Sequence, residues 1–167
     1  MSTFPEIPSG AALFLDANTF VYHFTAQPLY GSACTALLER IERSDVIGLT
    51  SAHILAEVSH RLMTIEACIM FGWPARNIAT RLAKHPEQIA KLTLFERALS
   101  AIDKLALRVI PVTEGHLARA AGLSRQYGLL TNDALLVGAM LESNVKSVAT
   151  NDADFDRVPS ITRFAPA

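Results

Sequence analysis

Carboxylate side chains stand where apolar segments of this sequence end or where helical segments begin. The apolar runs of residues 11–15 and 145–149 each end close to an aspartate, and two segments of helical period carry an acid near their start. Ligands bind beyond the carboxyl ends of the strands in an open parallel α/β sheet, so these acids are expected to meet at one end of a sheet. The candidates are Asp16, Glu57, Asp133, Asp152 and Asp154.

Clustered carboxylates would perform different chemistry from isolated ones. Taken singly, each acid has an ordinary role, because Asp caps helices and forms turns and Glu on a helix surface is solvated. Taken together, they raise one another's pKa unless cations neutralise them. Oxygen ligands favour hard divalent ions, and Mg²⁺ shares its coordination positions with waters and substrate phosphates. A cluster here therefore predicts a divalent-metal site that acts on phosphate groups.

The order of strands and helices determines how these acids would be positioned. Short apolar runs at residues 11–15, 46–49, 107–112 and 145–149 predict four strands, each ending at a polar or turn-forming residue. Segments of helical period lie between them, and this alternation predicts a parallel sheet covered on both faces. A further segment at residues 161–164 predicts a fifth strand at an edge of the sheet.

The chain shows no repeat, linker or low-complexity tract, which predicts a single domain over residues 1–167. Pro74 and Pro86 each stand at the first turn of a segment with apolar residues at helical spacing. Residues 71–104 are therefore expected to form a helical hairpin inserted between the second and third strands. Trp73 is interpreted as the anchor at the start of this insertion.

Composition narrows the class of protein. The chain has 167 residues, of which 50% are hydrophobic and 19% are charged, and this excludes an intrinsically disordered chain. No apolar run is long enough to span a bilayer, so no membrane association is expected. The N-terminus lacks the features of a secretory signal, and two cysteines are too few for a disulfide framework. A cytoplasmic protein is the expectation.

Four segments of the chain, in order, resemble the acidic blocks of PIN-domain ribonucleases, most closely the VapC-like toxins of toxin-antitoxin systems. They are Leu13–Phe20, Thr50–Val58, Leu130–Ala139 and Val148–Phe155. The resemblance implies a three-layer α/β/α fold with a four- to five-stranded, mainly parallel sheet. It also implies a Mg²⁺- or Mn²⁺-dependent endoribonuclease that acts as a toxin, often as a homodimer, and is inhibited by a small antitoxin protein.

The resemblance also assigns site residues. The acidic positions of the family fall on Asp16, Glu57, Asp133 and Asp152, with Asn18 and Thr150 as supporting polar residues. The expected metal ligands are Asp16, Asp133 and Asp152. Glu57 is expected to hold a metal-bound water or a second ion.

The last acidic block offers two aspartates that are two residues apart. Strand alternation places both on the same side of the chain and cannot choose between them. Asp152 is preferred as the metal ligand because it lies closer to the strand end. Asp154 precedes the apolar Phe155 and is expected to support the site by capping the next turn.

Basic residues are concentrated in one stretch of the chain. Residues 76–108 contain seven basic and three acidic residues, which give +4 in a chain whose net charge is −1. Scattered surface charge explains any one of them, but a basic flank beside an acidic cluster suits a polyanionic substrate. The candidates for RNA binding are Arg76, Arg81 and Lys84.

Other functions remain open on the sequence alone. Asp16 and Asn18 partly resemble the motif of haloacid-dehalogenase phosphatases, but the second, proton-transferring Asp of that motif is replaced by Asn18. A non-catalytic PIN-type scaffold that binds RNA or protein is another alternative, and the presence of all four acids argues against it. A zinc site on the helix face of His53, Glu57 and His60 is less favoured, because the His-Glu-x-x-His pattern is absent.

Overall fold

The structure of the protein is a computed structural model that describes residues 2–167. Six strands form one sheet in the order β1-β6-β5-β2-β3-β4, and each neighbouring pair is parallel. The strands are β1 (Ser2–Thr3), β2 (Ala12–Leu15), β3 (Ile47–Ser51), β4 (Arg108–Ile110), β5 (Ser147–Ala149) and β6 (Thr162–Ala165).

Residues 2–167 also contain eight α-helices and two short 3-10 helices, at Phe4–Glu6 and Ala153–Arg157. The α-helices are α1 (Ala17–Phe24), α2 (Gly31–Glu42), α3 (Ala52–Phe71), α4 (Ile78–Ala83), α5 (Pro86–Ile89), α6 (Leu94–Asp103), α7 (Glu114–Tyr127) and α8 (Thr131–Glu142). Within this part of the chain, no helix combines the length and apolar character needed to cross a bilayer.

Helices cover both faces of the sheet. Leu13, Phe14 and Leu15 are consecutive residues of β2, and all three are fully buried. Successive strand residues point to opposite faces, so apolar layers must lie above and below this strand. This confirms the predicted α/β class and the PIN-like arrangement of a parallel sheet between helices.

The sheet has more strands than the four to five predicted. The predicted strand near residue 161 is present as β6, but it is not an edge strand, because β1 pairs with its outer side. Strand β1 was not predicted, since Ser2 and Thr3 are polar and join the sheet through backbone pairing.

The strand order reverses between β2 and β5. The chain builds β3 and β4 on one side of β2, then places β5 and β6 on the other. The Asp16 amide donates to the Ala149 carbonyl (3.2 Å) and so continues this pairing past the strand ends. The crevice at such a reversal is where ligands bind in open α/β sheets, and β2 and β5 are the strands that lead to Asp16 and Asp152.

The inserted segment is helical as predicted, but it is divided into three helices rather than two. Gly72, with φ +64°, ends α3, and Pro74 lies in the loop that follows. Pro86 does begin a helix, but α5 ends after a single turn. The Glu66 carboxylate on α3 accepts hydrogen bonds from the amides of Thr93 (3.0 Å) and Leu94 (2.9 Å), which satisfies the first donors of α6 and fixes where that helix begins.

A second, smaller hydrophobic core lies under this insertion. Ala67 of α3 is buried against Ile78, Leu82 and Leu92. Trp73 packs beside this core as predicted, with its ring centroid 5.0 Å from that of Phe71. The insertion is therefore a packed element on the distal half of α3 and not a loose loop.

Candidate metal centre

Asp16 is held by donors on both of its carboxylate oxygens. It follows β2, caps the N-terminus of α1 and is only 8% exposed. Its Oδ1 accepts from the Ala17 amide (2.6 Å), and its Oδ2 accepts from Asn18 Nδ2 (2.5 Å) and from Thr150 Oγ1 (2.7 Å). Burial raises the pKa of Asp16 above its usual range, and the hydrogen bonds from Thr150 and Ala17 oppose that rise.

The predicted supporting residues Asn18 and Thr150 connect the ends of β2 and β5. Besides donating to Asp16, the Thr150 hydroxyl accepts from Asn18 Nδ2 (2.8 Å) and from the Asp152 amide (3.0 Å). Asn18 Oδ1 accepts from the Asn151 amide (3.1 Å). The network fixes the segment that carries Asp152 relative to Asp16.

Three further carboxylates converge beside this network. Oxygen atoms of Asp133, Asp152 and Asp154 all lie within 4.8 Å of one another. Asp133 stands in the first turn of α8, where the helix dipole favours a negative charge, and the other two follow β5. Three hard oxygen donors at this spacing suit a divalent cation such as Mg²⁺ or Mn²⁺.

The pKa of Asp133 is raised to about 6. Burial is the main cause, followed by the negative charges of four other acids, in descending order Asp16, Asp152, Glu57 and Asp154. The charges of the other four predicted acids therefore all act on Asp133. Asp16 is not one of the three within 4.8 Å, so its assignment as a metal ligand stays a prediction.

The roles predicted for Asp152 and Asp154 need one correction. Asp152, not Asp154, caps the following turn, because its Oδ1 accepts from the Asp154 amide (2.8 Å) at the start of the 3-10 helix. Its backbone is extended, as expected of a capping residue before a helix. The Asp154 carboxylate instead forms an ion pair with Arg157 (2.8 Å). Both acids belong to the cluster, and the choice of ligand remains a prediction.

Glu57 is held in place by Asn132, which the sequence analysis did not single out. Asn132 Nδ2 donates to Glu57 Oε2 (3.0 Å), and the Asn132 carbonyl lies 3.1 Å from His53 Nε2. Arg61 adds a longer ion pair to Glu57, at 3.7 Å. The only sequence signal for Asn132 was its position next to Asp133.

His53 therefore has a structural contact and does not contribute to a zinc site. Its other ring nitrogen lies 2.9 Å from Ser51 Oγ, and burial lowers the pKa of His53 below its usual value. His60, on the same helix, is exposed. Among residues 2–167, the only group of side chains arranged to hold a metal is the trio of aspartates.

The predicted RNA-binding residues lie apart from the acidic pocket. Arg76, Arg81 and Lys84 are exposed and belong to the insertion beyond the C-terminal end of α3. Helix α4 packs on the distal half of α3 against Ala67, which lies about 15 Å from Glu57 along the helix axis at 1.5 Å per residue.

The fold and this pocket together define a parallel α/β protein with an acidic site for a hard cation at the reversal of its strand order. The family model of the PIN domain matches residues 13–161, and the chain belongs to the PIN domain family. The resemblance read from the four acidic blocks is thereby confirmed. No curated protein matches the chain by sequence.

Solved structures with the same fold come from toxin-antitoxin systems. The VapC20 toxin of Mycobacterium tuberculosis, which cleaves the sarcin-ricin loop, has a TM-score of 0.61 and 15% identity over 86% of this chain and 92% of its own. VapBC2 from Rickettsia felis, bound to promoter DNA, has a TM-score of 0.57 and 18% identity, over 92% and 98%. A toxin-antitoxin complex from Klebsiella pneumoniae has a TM-score of 0.56 and 16% identity over 90% of this chain and 95% of its own.

Substitutions at Asp152 are expected to separate its two roles. Asp152→Asn keeps an oxygen that can cap the turn but removes the charge, so it should weaken Mn²⁺ binding with little change in stability. Asp152→Ala removes both and should cost about 1 kcal/mol in addition. Calorimetric Mn²⁺ titration and thermal melting of both variants provide the check. Equal Mn²⁺ affinity in Asp152→Asn and wild type, with a loss in Asp154→Asn, would transfer the ligand role to Asp154.

Proposed function

We propose that this protein is a divalent-metal-dependent endoribonuclease and the toxin of a toxin-antitoxin pair. The observation that carries the proposal is the trio Asp133, Asp152 and Asp154, whose carboxylate oxygens lie within 4.8 Å of one another, while the charges of Asp16 and Glu57 also act on Asp133. Arg157 and Arg61 pair with Asp154 and Glu57, and the negative charge that remains is costly to the protein unless a cation joins it. The fold family and the position of the pocket at the strand-order reversal support the same conclusion.

Asp133, Asp152 and Asp154 would hold the cation. They fit a divalent metal because their donors are all carboxylate oxygens within 4.8 Å of one another. A bound Mg²⁺ or Mn²⁺ would supply activation of the attacking water and neutralisation of charge on the phosphoryl oxygens.

The remaining residues of the pocket orient groups for phosphodiester hydrolysis. Asp16 is fixed by three donors, so it presents its negative charge at one defined place beside the cluster. Glu57, held by Asn132, would orient the attacking water and accept its proton. Thr150 and Asn18 keep the two strand ends in register and so maintain the distance between Asp16 and Asp152.

A small antitoxin protein is the proposed partner. Of the three structures described above, one is named as a toxin-antitoxin complex, one as VapBC2 bound to promoter DNA and one as a toxin. An inhibitor of this site would need to neutralise or cover the acidic pocket, for which a basic side chain is suited. A homodimer is also proposed, on the family resemblance alone.

The phosphatase alternative lacks its proton-transferring residue. Asn18 donates to Asp16 and accepts from the Asn151 amide, so its amide serves the network that holds the strand ends. An amide cannot exchange protons as a general acid or base near neutral pH. Phosphomonoester hydrolysis is therefore expected to be absent.

Parallel assays separate the three functions. With Mn²⁺, the wild-type protein is expected to cleave a structured RNA and to leave a small phosphomonoester intact, and excess EDTA should stop the cleavage. Asp133→Asn is the matched control for a contaminating nuclease. Monoester turnover that is lost in Asp16→Asn would favour the phosphatase. RNA binding without cleavage would favour the non-catalytic scaffold.

A further inference from the structure

The insertion carries a concentrated positive charge. Residues 72–93, called the basic cap below, comprise the loop after α3, α4, α5 and the turn before α6. They contain four basic residues and one acidic residue, which give +3 and leave −4 for the rest of the chain. The basic residues are Arg76, Arg81, Lys84 and Lys91, and all four are exposed.

The four basic side chains of the cap form no ion pairs within the part of the chain that the structure describes. Among residues 2–167, ion pairs involve Arg40, Arg43, Arg61, Arg157 and Arg163, but none of the four basic residues of the cap. The one acid of the cap, Glu87, contacts His85 at 3.2 Å. Positive charges that no acid neutralises repel one another, and a polyanionic partner removes that cost.

The cap presents its charges from a packed platform. The Arg81 guanidinium lies 5.3 Å from the centre of the Trp73 ring, and the Trp73 ring packs in turn against Phe71 and His85. A guanidinium stacked on an aromatic ring keeps its N–H donors directed outward in its plane. Such a group is prepared to bind a phosphate without a large loss of side-chain freedom.

We propose that the basic cap is a second RNA-binding surface, separate from the acidic pocket, that grips the phosphate backbone of the substrate. The inference rests on the proposed ribonuclease function and adds to it where the substrate is held. The cap packs on α3 at Ala67, which lies about 15 Å from Glu57 along the helix axis. A helical strand with nucleotides about 3.4 Å apart must extend roughly four to five nucleotides from the cleaved bond to reach both. The protein therefore favours structured or long RNA over short oligonucleotides.

RNA is a better occupant of this surface than an acidic protein segment. The large apolar residues of the cap are turned inward, with Ile78, Leu82 and Leu92 buried. Exposed large hydrophobic residues occur elsewhere in the described chain, and none of them falls within residues 72–93. Protein interfaces bury an apolar centre, whereas contacts to RNA backbone need mainly charge and hydrogen-bond donors.

The test is a salt series of RNA binding without divalent metal, so that no cleavage is required. The probes are a synthetic RNA hairpin and a polyglutamate peptide, followed by fluorescence anisotropy. The cap variant carries Arg76→Glu, Arg81→Glu and Lys84→Glu together. The control variant reverses three exposed basic residues elsewhere, Arg119→Glu, Arg125→Glu and Lys146→Glu, and so has the same net charge. If the triple variant folds poorly, the double variant Arg76→Glu with Lys84→Glu takes its place, because it keeps the contact between Arg81 and Trp73.

The cap variant is expected to lose at least about tenfold in RNA affinity, and its slope of log affinity against log salt should flatten by about 2 units, since each lost phosphate contact removes about 0.7 to 0.9. The control should change far less.

Equal losses in both variants, or no loss in either, would overturn the proposal. So would unchanged RNA binding with lost polyglutamate binding, which would assign the cap to a protein partner. The binding series does not measure cleavage, so it tests the cap independently of the nuclease. If the protein binds RNA through the cap but does not cleave RNA in the Mn²⁺ assay, only the proposed nuclease activity is refuted.

Discussion

Asp133→Asn is expected to lower metal-dependent RNA cleavage by more than about 100-fold and, at the same time, to stabilise the metal-free protein. Substitutions in the residues that merely support metal ligands cost about 10- to 100-fold, so loss of a ligand should cost more. Stability should rise because burial and four neighbouring acids oppose the charge of Asp133, and no hydrogen bond is among the causes that act on its pKa. The amide therefore removes repulsion without losing a hydrogen bond.

The stabilisation should depend on pH in a defined direction. The pKa of Asp133 is about 6 in the folded protein, against an ordinary value of 3.8. Between these two values the folded state binds the additional proton, so stability falls as pH rises through this window. The penalty is absent below about pH 4 and complete above about pH 6, and because Asp133 is only half buried, solvent screening keeps it well below the roughly 3 kcal/mol that the full shift corresponds to.

Thermal melting in EDTA measures this effect directly. Asp133→Asn should melt at a higher temperature than wild type near pH 7, and the difference should shrink as the pH approaches about 4.5. Asp156→Asn is a suitable control, since hydrogen bonds from Arg163 lower the pKa of Asp156 and its charge therefore stabilises the fold. A lower melting temperature for Asp133→Asn near pH 7 would contradict the charge repulsion on which the metal site is inferred.

Asp16→Asn is expected to lose cleavage to a similar extent but to destabilise the protein. Both oxygens of Asp16 accept hydrogen bonds, and an amide can accept on only one of them. Either orientation of the amide places a donor against Ala17, or against Asn18 and Thr150, and leaves a buried group without its partner. We expect a cost of about 1–3 kcal/mol, partly offset by loss of the buried charge.

A double-mutant cycle with Thr150→Val identifies the cause of that cost. If the Thr150 hydroxyl faces the new amide unfavourably, the double variant should be less destabilised than the two single variants predict together. Chemical unfolding of the four proteins supplies the free energies. Additive effects would show that Asp16 and Thr150 do not depend on each other, contrary to the contacts described.

The sequence predicted the positions of the acids better than their individual roles. Strand ends were recognisable because apolar runs stop at polar residues, and the carboxyl ends of parallel strands meet at one edge of a sheet. Asp16, Glu57 and Asp152 were predicted to lie near Asp133, and their charges do raise the pKa of Asp133. The sequence analysis assigned the cap of the turn after β5 to Asp154, whereas Asp152 is the cap, because capping depends on the backbone angles of Asp152.

Features that depend on tertiary contacts or on backbone atoms were not predictable. Asn132 contacts Glu57 through its side chain and His53 through its backbone carbonyl. Every residue has a backbone carbonyl, so the contact with His53 cannot be predicted from residue types. The start of α6 is set by Glu66, which lies 27 residues before Thr93. The two residues of β1 are paired through their backbone alone. In each case the partner is distant along the chain, so local pattern carries no signal.

The most direct test of the metal-dependent nuclease is a Mn²⁺ titration in which RNA cleavage and melting temperature are followed on the same sample. Binding to the folded protein should raise stability by about 2.7 kcal/mol at 100 times the dissociation constant. In wild type, the midpoint of cleavage should equal the dissociation constant that the rise in melting temperature gives, and both effects should be lost in Asp133→Asn. Cleavage that persists in excess EDTA, or that is undiminished in folded Asp133→Asn, would contradict a metal-dependent nuclease.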